Sequence, residues 1–165
     1  TVHRHENLKS KERMESIVDI LEGSPKKLLF FLHDNTKKSL KEYNLFERLK
    51  DGPNIDIRDL LSYPDFLSYL SNSEIVYTDG GSIQEESFIF KVPCILLRNH
   101  TERKEGLESD LNFLSRFDVE ETIKRAREMV DEDFRKVKNP YGEKGVSKRI
   151  LRILEKYQRE RQGKS

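Results

Sequence analysis

The fold of this chain is decided at Thr78-Asp79-Gly80-Gly81-Ser82-Ile83-Gln84-Glu85-Glu86, where a predicted strand (Glu74–Thr78) runs through two glycines into a predicted helix (Ser82–Phe90). Glycine lets the backbone turn sharply and approach a ligand closely, and the free amides at a helix N-terminus attract anions. The stretch therefore predicts a phosphate cradle, with Glu86 placed one turn into the helix to reach a ribose hydroxyl. The alternative interpretation is a tight turn in which Ser82 is the helix N-cap and the carboxylates favour the helix dipole.

Outward from this stretch, short apolar runs alternate with longer amphipathic stretches along the chain. Further strands are predicted at Lys27–Leu32, Asn54–Ile57 and Val92–Leu97, with Thr1-Val2-His3 counted as a truncated first strand. Further helices are predicted at Ser10–Leu21, Asn35–Tyr43, Tyr63–Leu70, Asp118–Val130 and from Ser147 to about Tyr157, followed by a polar tail, Gln158–Ser165, expected to fray or to dock elsewhere. Such alternation predicts an α/β fold: a Rossmann-like, three-layer parallel sheet with helices on both faces. Ligands of these sheets bind at the carboxyl ends of the strands.

Composition narrows the classes of function. Lys and Arg number 31 against 30 Asp and Glu, and a net charge of +1 provides no global field for nucleic acid or an anionic membrane. A single cysteine excludes an internal disulfide and a four-cysteine zinc site.

No apolar run reaches the length of a membrane span, and the start lacks the apolar core of a signal peptide. The length of 165 residues fits one domain, and an opening at Thr-Val-His-Arg, without Met, leads us to expect a piece of a longer protein.

Histidines follow two of the predicted strands. His3-Arg4-His5-Glu6-Asn7 follows the opening strand, where imidazole and guanidinium groups can hold a phosphate or a base. The alternative interpretation of this segment is a solvated, charged loop. His33 ends the next strand and is predicted to face the same edge as His3. A zinc site of His3, His5 and His33 is not supported by a nearby Cys or by paired spacing, so no metal is predicted.

Three further features lie at predicted strand or helix ends. Arg98 and Arg103, after the fourth complete strand, either face an anion or belong to a solvated loop. Phe66 would normally be core, but near a helix start at the ligand edge it can stack on a base. Asn139-Pro140-Tyr141-Gly142 predicts a turn before the last helix.

In combination, these segments resemble the C-terminal half of the UDP-N-acetylglucosamine 2-epimerase family, from His3 to about Leu154. The matching segments, in chain order, are His3–Asn7 for HRxEN, Leu32-His33 for a strand ending in Val-His, Tyr63–Phe66 for Tyr-x-x-Phe, Thr78–Glu86 for TDSGGxQEE, Thr101–Glu105 for TERPE, and Asn139–Ile150 for NPYGDGxxxxRI. Any one segment is a weak signal, but six in the same order at sensible spacing are specific.

The sequence departs from the family pattern at three places. Gly80 stands where the family has a serine, and Ser82 stands where it has the second glycine, so the hydroxyl has moved along the loop. Lys104 replaces the proline of TERPE, and Glu143-Lys144 replaces Asp-Gly after the NPYG turn. These departures indicate a divergent subgroup.

The resemblance implies a two-domain GT-B architecture in which two Rossmann-like halves close over a UDP-sugar. Residues 1–165 would form a single Rossmann-like UDP-binding domain, with the N-terminal half absent. By this resemblance, the diphosphate would lie on Gly80, Gly81 and Ser82, and the ribose would contact Glu86. His3 and His33 would face the phosphates or the sugar, and Phe66 would lie near the uracil. Arg103 would lie at the cleft, and Arg4 and Glu6 would also bind UDP. His3 and Arg103 would stabilise the leaving group.

The activity implied by the resemblance is that of an isomerase; the non-hydrolysing type is favoured, and the hydrolysing type, which shares these motifs, stays open. The isomerase would interconvert UDP-GlcNAc and UDP-ManNAc, or a related UDP-2-acetamido sugar, by anti elimination of UDP to a glycal and re-addition with inversion at C2. The acid–base carboxylates would lie in the absent half, so this chain alone is expected to be inactive. The resemblance also implies no cofactor, a homodimer and a cytoplasmic role in polysaccharide biosynthesis.

Two other hypotheses remain open from the sequence. A GT-B glycosyltransferase donor domain would share the sheet and the phosphate cradle, although the Gln84-Glu85-Glu86 and Thr101-Glu102-Arg103 motifs argue against it. A noncatalytic module that senses UDP-sugars is compatible with the displaced serine. A nucleic-acid-binding module is disfavoured, because the chain lacks a basic stripe with interleaved aromatic residues.

Overall fold

The computed structural model describes residues 1–142 and 144–162, over which short strands alternate with helices. The strands are β1 (Leu28–Phe31), β2 (Ile55–Arg58), β3 (Val76–Thr78), β4 (Cys94–Leu96) and β5 (Asn112–Leu114). The α-helices are α1 (His5–Leu8), α2 (Lys11–Glu22), α3 (Asp34–Glu42), α4 (Phe46–Asp51), α5 (Tyr63–Ser71), α6 (Gly81–Phe90), α7 (Val119–Met129) and α8 (Val146–Gln162), and a 3₁₀ helix spans Lys104–Ser109. The predicted α/β fold with parallel sheets flanked by helices is confirmed.

All strand pairs in the described residues are parallel. β1 pairs with β2, and β4 lies between β3 and β5, so the strands form a two-stranded and a three-stranded sheet. The prediction of a truncated strand at Thr1-Val2-His3 is wrong, because these residues form no ladder. They are held instead by individual hydrogen bonds. The Thr1 amine donates to the Tyr77 carbonyl (2.9 Å), and the Thr36 hydroxyl donates to the Val2 carbonyl (2.5 Å).

The core is built from the continuous apolar runs and the apolar faces of α2 and α6. β4 is buried along its whole length, as expected for a parallel strand covered on both faces. The largest fully buried side chains include Phe88, Met14, Ile17, Leu40 and Leu96. Because this core fixes the strands, the loops at their carboxyl ends are held in place for a site.

The short elements were not predicted. β5 covers only Asn112–Leu114 and begins with a buried asparagine, so it carries no apolar run to mark it. α1 and α4 span four and six residues, too short for a helical period to show.

The last helix presents its apolar side chains to solvent. α8 begins one residue earlier than predicted and continues to Gln162, so the tail expected to fray is helical up to that point; residues 163–165 lie outside the described range. Its exposed apolar side chains are Val146, Ile150, Leu151, Ile153, Leu154 and Tyr157. Within the residues that the structure describes, no helix combines the length and apolar character needed to cross a membrane.

Candidate functional site

A cleft of about 260 Å³ lies where several strands end. It is lined by Thr1, His3, Phe31, His33, Leu60, Leu61, Tyr63, Phe66, Ser82, Ile83 and Glu86. Five of the residues singled out from the sequence are therefore brought together in one place: His3, His33, Phe66, Ser82 and Glu86. This is the position expected for a ligand of a parallel α/β sheet.

The N-terminus of α6 opens toward this cleft without a capping side chain. Gly80 is the N-cap, and no side chain caps the helix there. The alternative interpretation of Ser82 as the N-cap is wrong, because Ser82 is the second residue of the helix and lines the cleft. The first amides of α6 are thus available to an anion.

The two glycines at the start of α6 allow close approach of neighbouring side chains. Gly80 has φ −82°, which any residue adopts, so a strained turn is not the reason for glycine. A Cβ on Gly81 would lie 2.8 Å from the guanidinium carbon of Arg103, and one on Gly80 would lie 3.3 Å from Cε1 of His3. Glycine here lets a cation pack directly on the start of the helix.

His3 and His33 lie side by side at the same edge of the cleft, as predicted. Their ring centroids are 5.0 Å apart, and Nδ1 of His3 lies 3.5 Å from a carboxylate oxygen of Asp79. Burial, with the neighbouring His3 as the next cause, lowers the pKa of His33 below its usual value. An anion bound beside the two rings would favour the protonated form of His33.

Asp79 anchors the first segment of the chain to the glycine loop. Its carboxylate is fully buried and accepts the backbone amides of His3 (3.0 Å) and Arg4 (2.9 Å) and the side-chain amide of Asn7 (3.0 Å). Sequence reasoning missed this role, since it treated Asp79 only as part of the loop. A possible signal was the acidic residue placed directly before the two glycines, at a strand end.

Gln84 joins three of the motif segments. This fully buried side chain donates from Nε2 to the Arg103 carbonyl (2.9 Å) and to the Tyr141 hydroxyl (3.0 Å), and its Oε1 accepts from Thr101 (2.8 Å). Gly106 leaves space for the phenol, because a Cβ there would overlap the Tyr141 hydroxyl. We call Gln84, Thr101, Arg103, Gly106 and Tyr141 the Gln84 hub; it holds the Arg103 loop against α6.

Arg103 lies at the start of α6 within a group of charges. Its guanidinium pairs with Glu85 and with Glu102, and Glu102 also accepts from Arg98 (2.9 Å). A backbone hydrogen bond and the Arg98 guanidinium lower the pKa of Glu102 to about 2. Arg103 therefore approaches the helix N-terminus while its charge is shared with carboxylates.

Five residues expected at the ligand site are not among those that line the cleft: Arg4, Glu6, Gly80, Gly81 and Arg103. Arg4 precedes α1, and its Nε donates to Glu6 (2.5 Å) in a partly exposed pair. Over residues 1–142 and 144–162, no group of three or more His, Cys, Asp or Glu side chains is arranged to hold a metal ion.

The far wall of the cleft is apolar and aromatic. Phe66 is half-buried and packs edge-on against Phe31, with ring centroids 6.1 Å apart. Leu60 and Leu61 continue this wall, and both are exposed. A flat apolar ligand group fits this end of the cleft, while an anion fits the end at α6.

The parallel sheets, the uncapped helix and the divided cleft define a Rossmann-like α/β domain with a site for a ligand that is part anion and part aromatic. The chain belongs to the UDP-N-acetylglucosamine 2-epimerase family, whose sequence profile matches residues 1–155. The resemblance drawn from the sequence motifs is thereby confirmed.

Individual relatives agree with this assignment. The chain is 43% identical over 158 residues to the UDP-N-acetylglucosamine 2-epimerase of Methanocaldococcus jannaschii, covering 93% of this chain and 43% of that protein. A crystal structure of that enzyme in complex with UDP-GlcNAc and UDP has a TM-score of 0.84. The UDP-GlcNAc 2-epimerase of Neisseria meningitidis bound to UDP-GlcNAc has a TM-score of 0.75 at 26% identity, covering 94% of this chain and 43% of that one. The chain spans less than half the length of these relatives.

Proposed function

We propose that this chain is the UDP-binding domain of a UDP-N-acetylglucosamine 2-epimerase of the non-hydrolysing type. The observation that carries the proposal is the single cleft lined by His3, His33, Phe66, Ser82 and Glu86, beside an uncapped helix N-terminus. The membership of the chain in the epimerase family, and two family members solved with UDP-GlcNAc, support UDP-GlcNAc as the ligand.

The division of the cleft supports one orientation of UDP. The diphosphate lies on the amides of Gly81 and Ser82, where the helix dipole and the histidines are complementary to its charge. The ribose meets Glu86, and the uracil packs against the wall that contains Phe66. The Ser82 hydroxyl takes the place of the family's serine, because Gly80 is buried against His3 and cannot present one to the cleft.

In the proposed reaction, UDP-GlcNAc loses the C2 proton to a base of the other half while the C1–O bond to UDP breaks. UDP then adds back to the resulting glycal, and a proton reaches C2 on the opposite face. This chain contributes to the step in which charge develops on the departing diphosphate. Donors that already point to that position stabilise the charge without reorganisation. We assign this role to His3, Arg103 and the α6 amides.

The other half is the partner that we propose for the exposed face of α8. Six apolar side chains of one helix are open to solvent, and such a face needs a covering surface. The relatives contain more than half of their length outside the matched region, which supplies one. We further propose a cytoplasmic enzyme that forms a homodimer.

The proposal is tested by titrating the chain with UDP while recording amide NMR shifts, with GDP and uridine as controls. We expect shifts at Gly81, Ser82 and Glu86 with UDP, and weaker or no shifts with uridine, which lacks the diphosphate. Absence of UDP-dependent shifts at millimolar ligand would contradict the proposal.

A second experiment addresses catalysis. The chain alone is expected to give no exchange of the C2 proton of UDP-GlcNAc with deuterium. Fusing it to the N-terminal part of the Methanocaldococcus jannaschii relative is expected to restore exchange. Epimerisation by the 165 residues alone would show that the chemistry does not need the other half, and a glycosyl-transfer product from the fusion would favour a transferase.

A further inference from the structure

The carboxylate of Glu86 is held by a phenol from a different helix. The hydroxyl of Tyr63 donates to Oε1 of Glu86 at 2.7 Å, and both side chains line the cleft. Tyr63 is the first residue of α5, and Glu86 is the sixth residue of α6. The contact therefore joins the helix that carries Phe66 to the helix whose N-terminus faces the anion end.

Both backbones at this contact are fixed by their own helices. The Ser62 side chain caps α5 by accepting from the Asp65 amide, and Pro64 restrains the first turn. Glu86 is followed in α6 by the buried residues Ser87 and Phe88. A tyrosine side chain has only two torsions to order, so the hydroxyl is presented at low entropic cost.

Glu86 differs from its neighbour Glu85 in its partners. Glu85 pairs with the Arg103 guanidinium, whereas in the described part of the chain the Tyr63 hydroxyl is the one hydrogen-bond donor to Glu86. A carboxylate has about four lone-pair positions, so most of the acceptor capacity of Glu86 remains for a ligand. Hydroxyl groups of a sugar are donors of the matching kind.

We propose that Tyr63 is a positioning residue for Glu86: it holds one carboxylate oxygen and turns the other toward the ribose, so that it sets the preference for ribonucleotides over deoxyribonucleotides. This inference rests on the proposed function, because it assumes that Glu86 meets the ribose of UDP. The hydrogen bond to Glu86 also raises the pKa of Tyr63 above its usual value.

The test compares the affinity of the chain for UDP, 2′-deoxy-UDP and 3′-deoxy-UDP by amide NMR titration. We expect the unaltered chain to bind UDP more tightly than at least one deoxy analogue. Tyr63→Phe should reduce that ratio about threefold to tenfold, the effect of one typical hydrogen bond, because Tyr63 acts on the ribose only through Glu86. Tyr69→Phe is the matched control, since Tyr69 lies on the same helix but outside this cleft, and its ratio should not change.

Glu86→Gln separates positioning from packing. If Tyr63 acts through Glu86, Tyr63→Phe should lower the ratio in the unaltered chain and have no further effect when combined with Glu86→Gln. A ribose preference that Tyr63→Phe leaves unchanged, tighter UDP binding by Tyr63→Phe, or additive effects of the two changes would each overturn the inference.

Failure of the inference and failure of the proposed function give different results. If the unaltered chain binds UDP but does not distinguish the deoxy analogues, the inference is wrong and the UDP site remains. If the unaltered chain binds no UDP, the proposed function fails and the inference fails with it. Tyr63 is largely exposed, so Tyr63→Phe should fold normally, and its amide spectrum without ligand verifies this.

Discussion

The buried carboxylate of Asp79 accepts the backbone amide of His3 at 3.0 Å, across 76 positions of sequence. The same carboxylate also accepts from Arg4 and Asn7, so one side chain fixes the course of the first seven residues beside the glycine loop. His3 reaches the cleft because Asp79 holds its backbone there. The loss of this carboxylate should therefore lower the stability of the folded chain.

Asp79→Asn should lower the free energy of unfolding by about 2–4 kcal/mol. An amide has one oxygen acceptor instead of two, so buried N–H groups of His3 or Arg4 lose their partner. Urea denaturation measures the change. Asp133→Asn, which alters an exposed ion pair with Arg135, is the control and should leave the free energy of unfolding nearly unchanged. Equal effects of the two changes would contradict the anchoring role of Asp79.

Gly81→Ala should weaken UDP binding while changing stability little. The new Cβ would overlap the Arg103 guanidinium, which is the flexible end of a long side chain and can move away. Alanine also favours the helix by up to about 1 kcal/mol, so the unfolding free energy should not fall. Gly80→Ala is the comparison, because its Cβ instead meets His3 at 3.3 Å. Unchanged UDP affinity in Gly81→Ala would show that Arg103 does not contribute to binding.

Tyr141→Phe and Gln84→Leu should destabilise the Gln84 hub to different extents. Tyr141→Phe removes one hydrogen-bonding hydroxyl and should cost about 0.5–1.5 kcal/mol. Gln84→Leu removes the 2.9 Å donor to the Arg103 carbonyl and the acceptor of the buried Thr101 hydroxyl, and it should cost about 2–4 kcal/mol. Urea denaturation of both variants and of the double variant measures the coupling, and we expect less than additive losses. Tyr157→Phe on α8 is the control and should not change the free energy of unfolding. If the losses from Tyr141→Phe and Gln84→Leu simply add in the double variant, the hub is not connected.

His3→Gln should raise the pKa of His33, because it removes the positive charge that is the second cause of the lowered value, after burial. The pKa of His33 in the folded chain lies below the unfolded value of 6.5. In the pH window between these two pKa values, the unfolded chain therefore binds more protons than the folded chain. Stability from this group is therefore complete above pH 6.5 and is lost as pH falls through that window. In His3→Gln this pH window should become narrower, because the pKa of His33 in the folded chain moves up toward the unfolded value.

NMR titration of the histidine ring protons gives the midpoint of His33 directly. His100→Gln is the matched control, because His100 is exposed and does not line the cleft. A His33 midpoint that is the same in His3→Gln and in His100→Gln would show that the two cleft imidazoles do not interact.

The sequence predicted most of the architecture because the strands that matter are continuous apolar runs. β1 and β4 are such runs, and the helices between them show clear periodicity. β5 was missed, since three residues beginning with Asn112 carry no such signal. The rule that ligands bind at the ends of parallel strands was enough to group His3, His33 and Glu86, and their roles in binding remain predictions.

The connections inside the site were beyond the sequence. Gln84 and Asp79 stood within a recognised motif, yet their partners lie on segments 17 to 76 residues away. Such partners follow from the packing of whole elements, which no local pattern encodes. The sharp turn expected at the two glycines is not the reason for Gly80, whose φ is −82°. Close approach to a ligand stays a prediction, and the contact of Gly81 with Arg103 arises only when the Arg103 loop folds back onto α6.

The Gln84 hub also bears on how this protein can be recombined with its relatives. Gln84, Thr101, Arg103 and Tyr141 lie in segments that match family motifs, so a relative with these motifs brings the same hub side chains. Chimeras with a break inside residues 78–142 should therefore keep the hub when both parents carry the motifs, and they should lose it when one parent lacks them. In directed evolution, these motif segments are the positions to hold fixed during recombination.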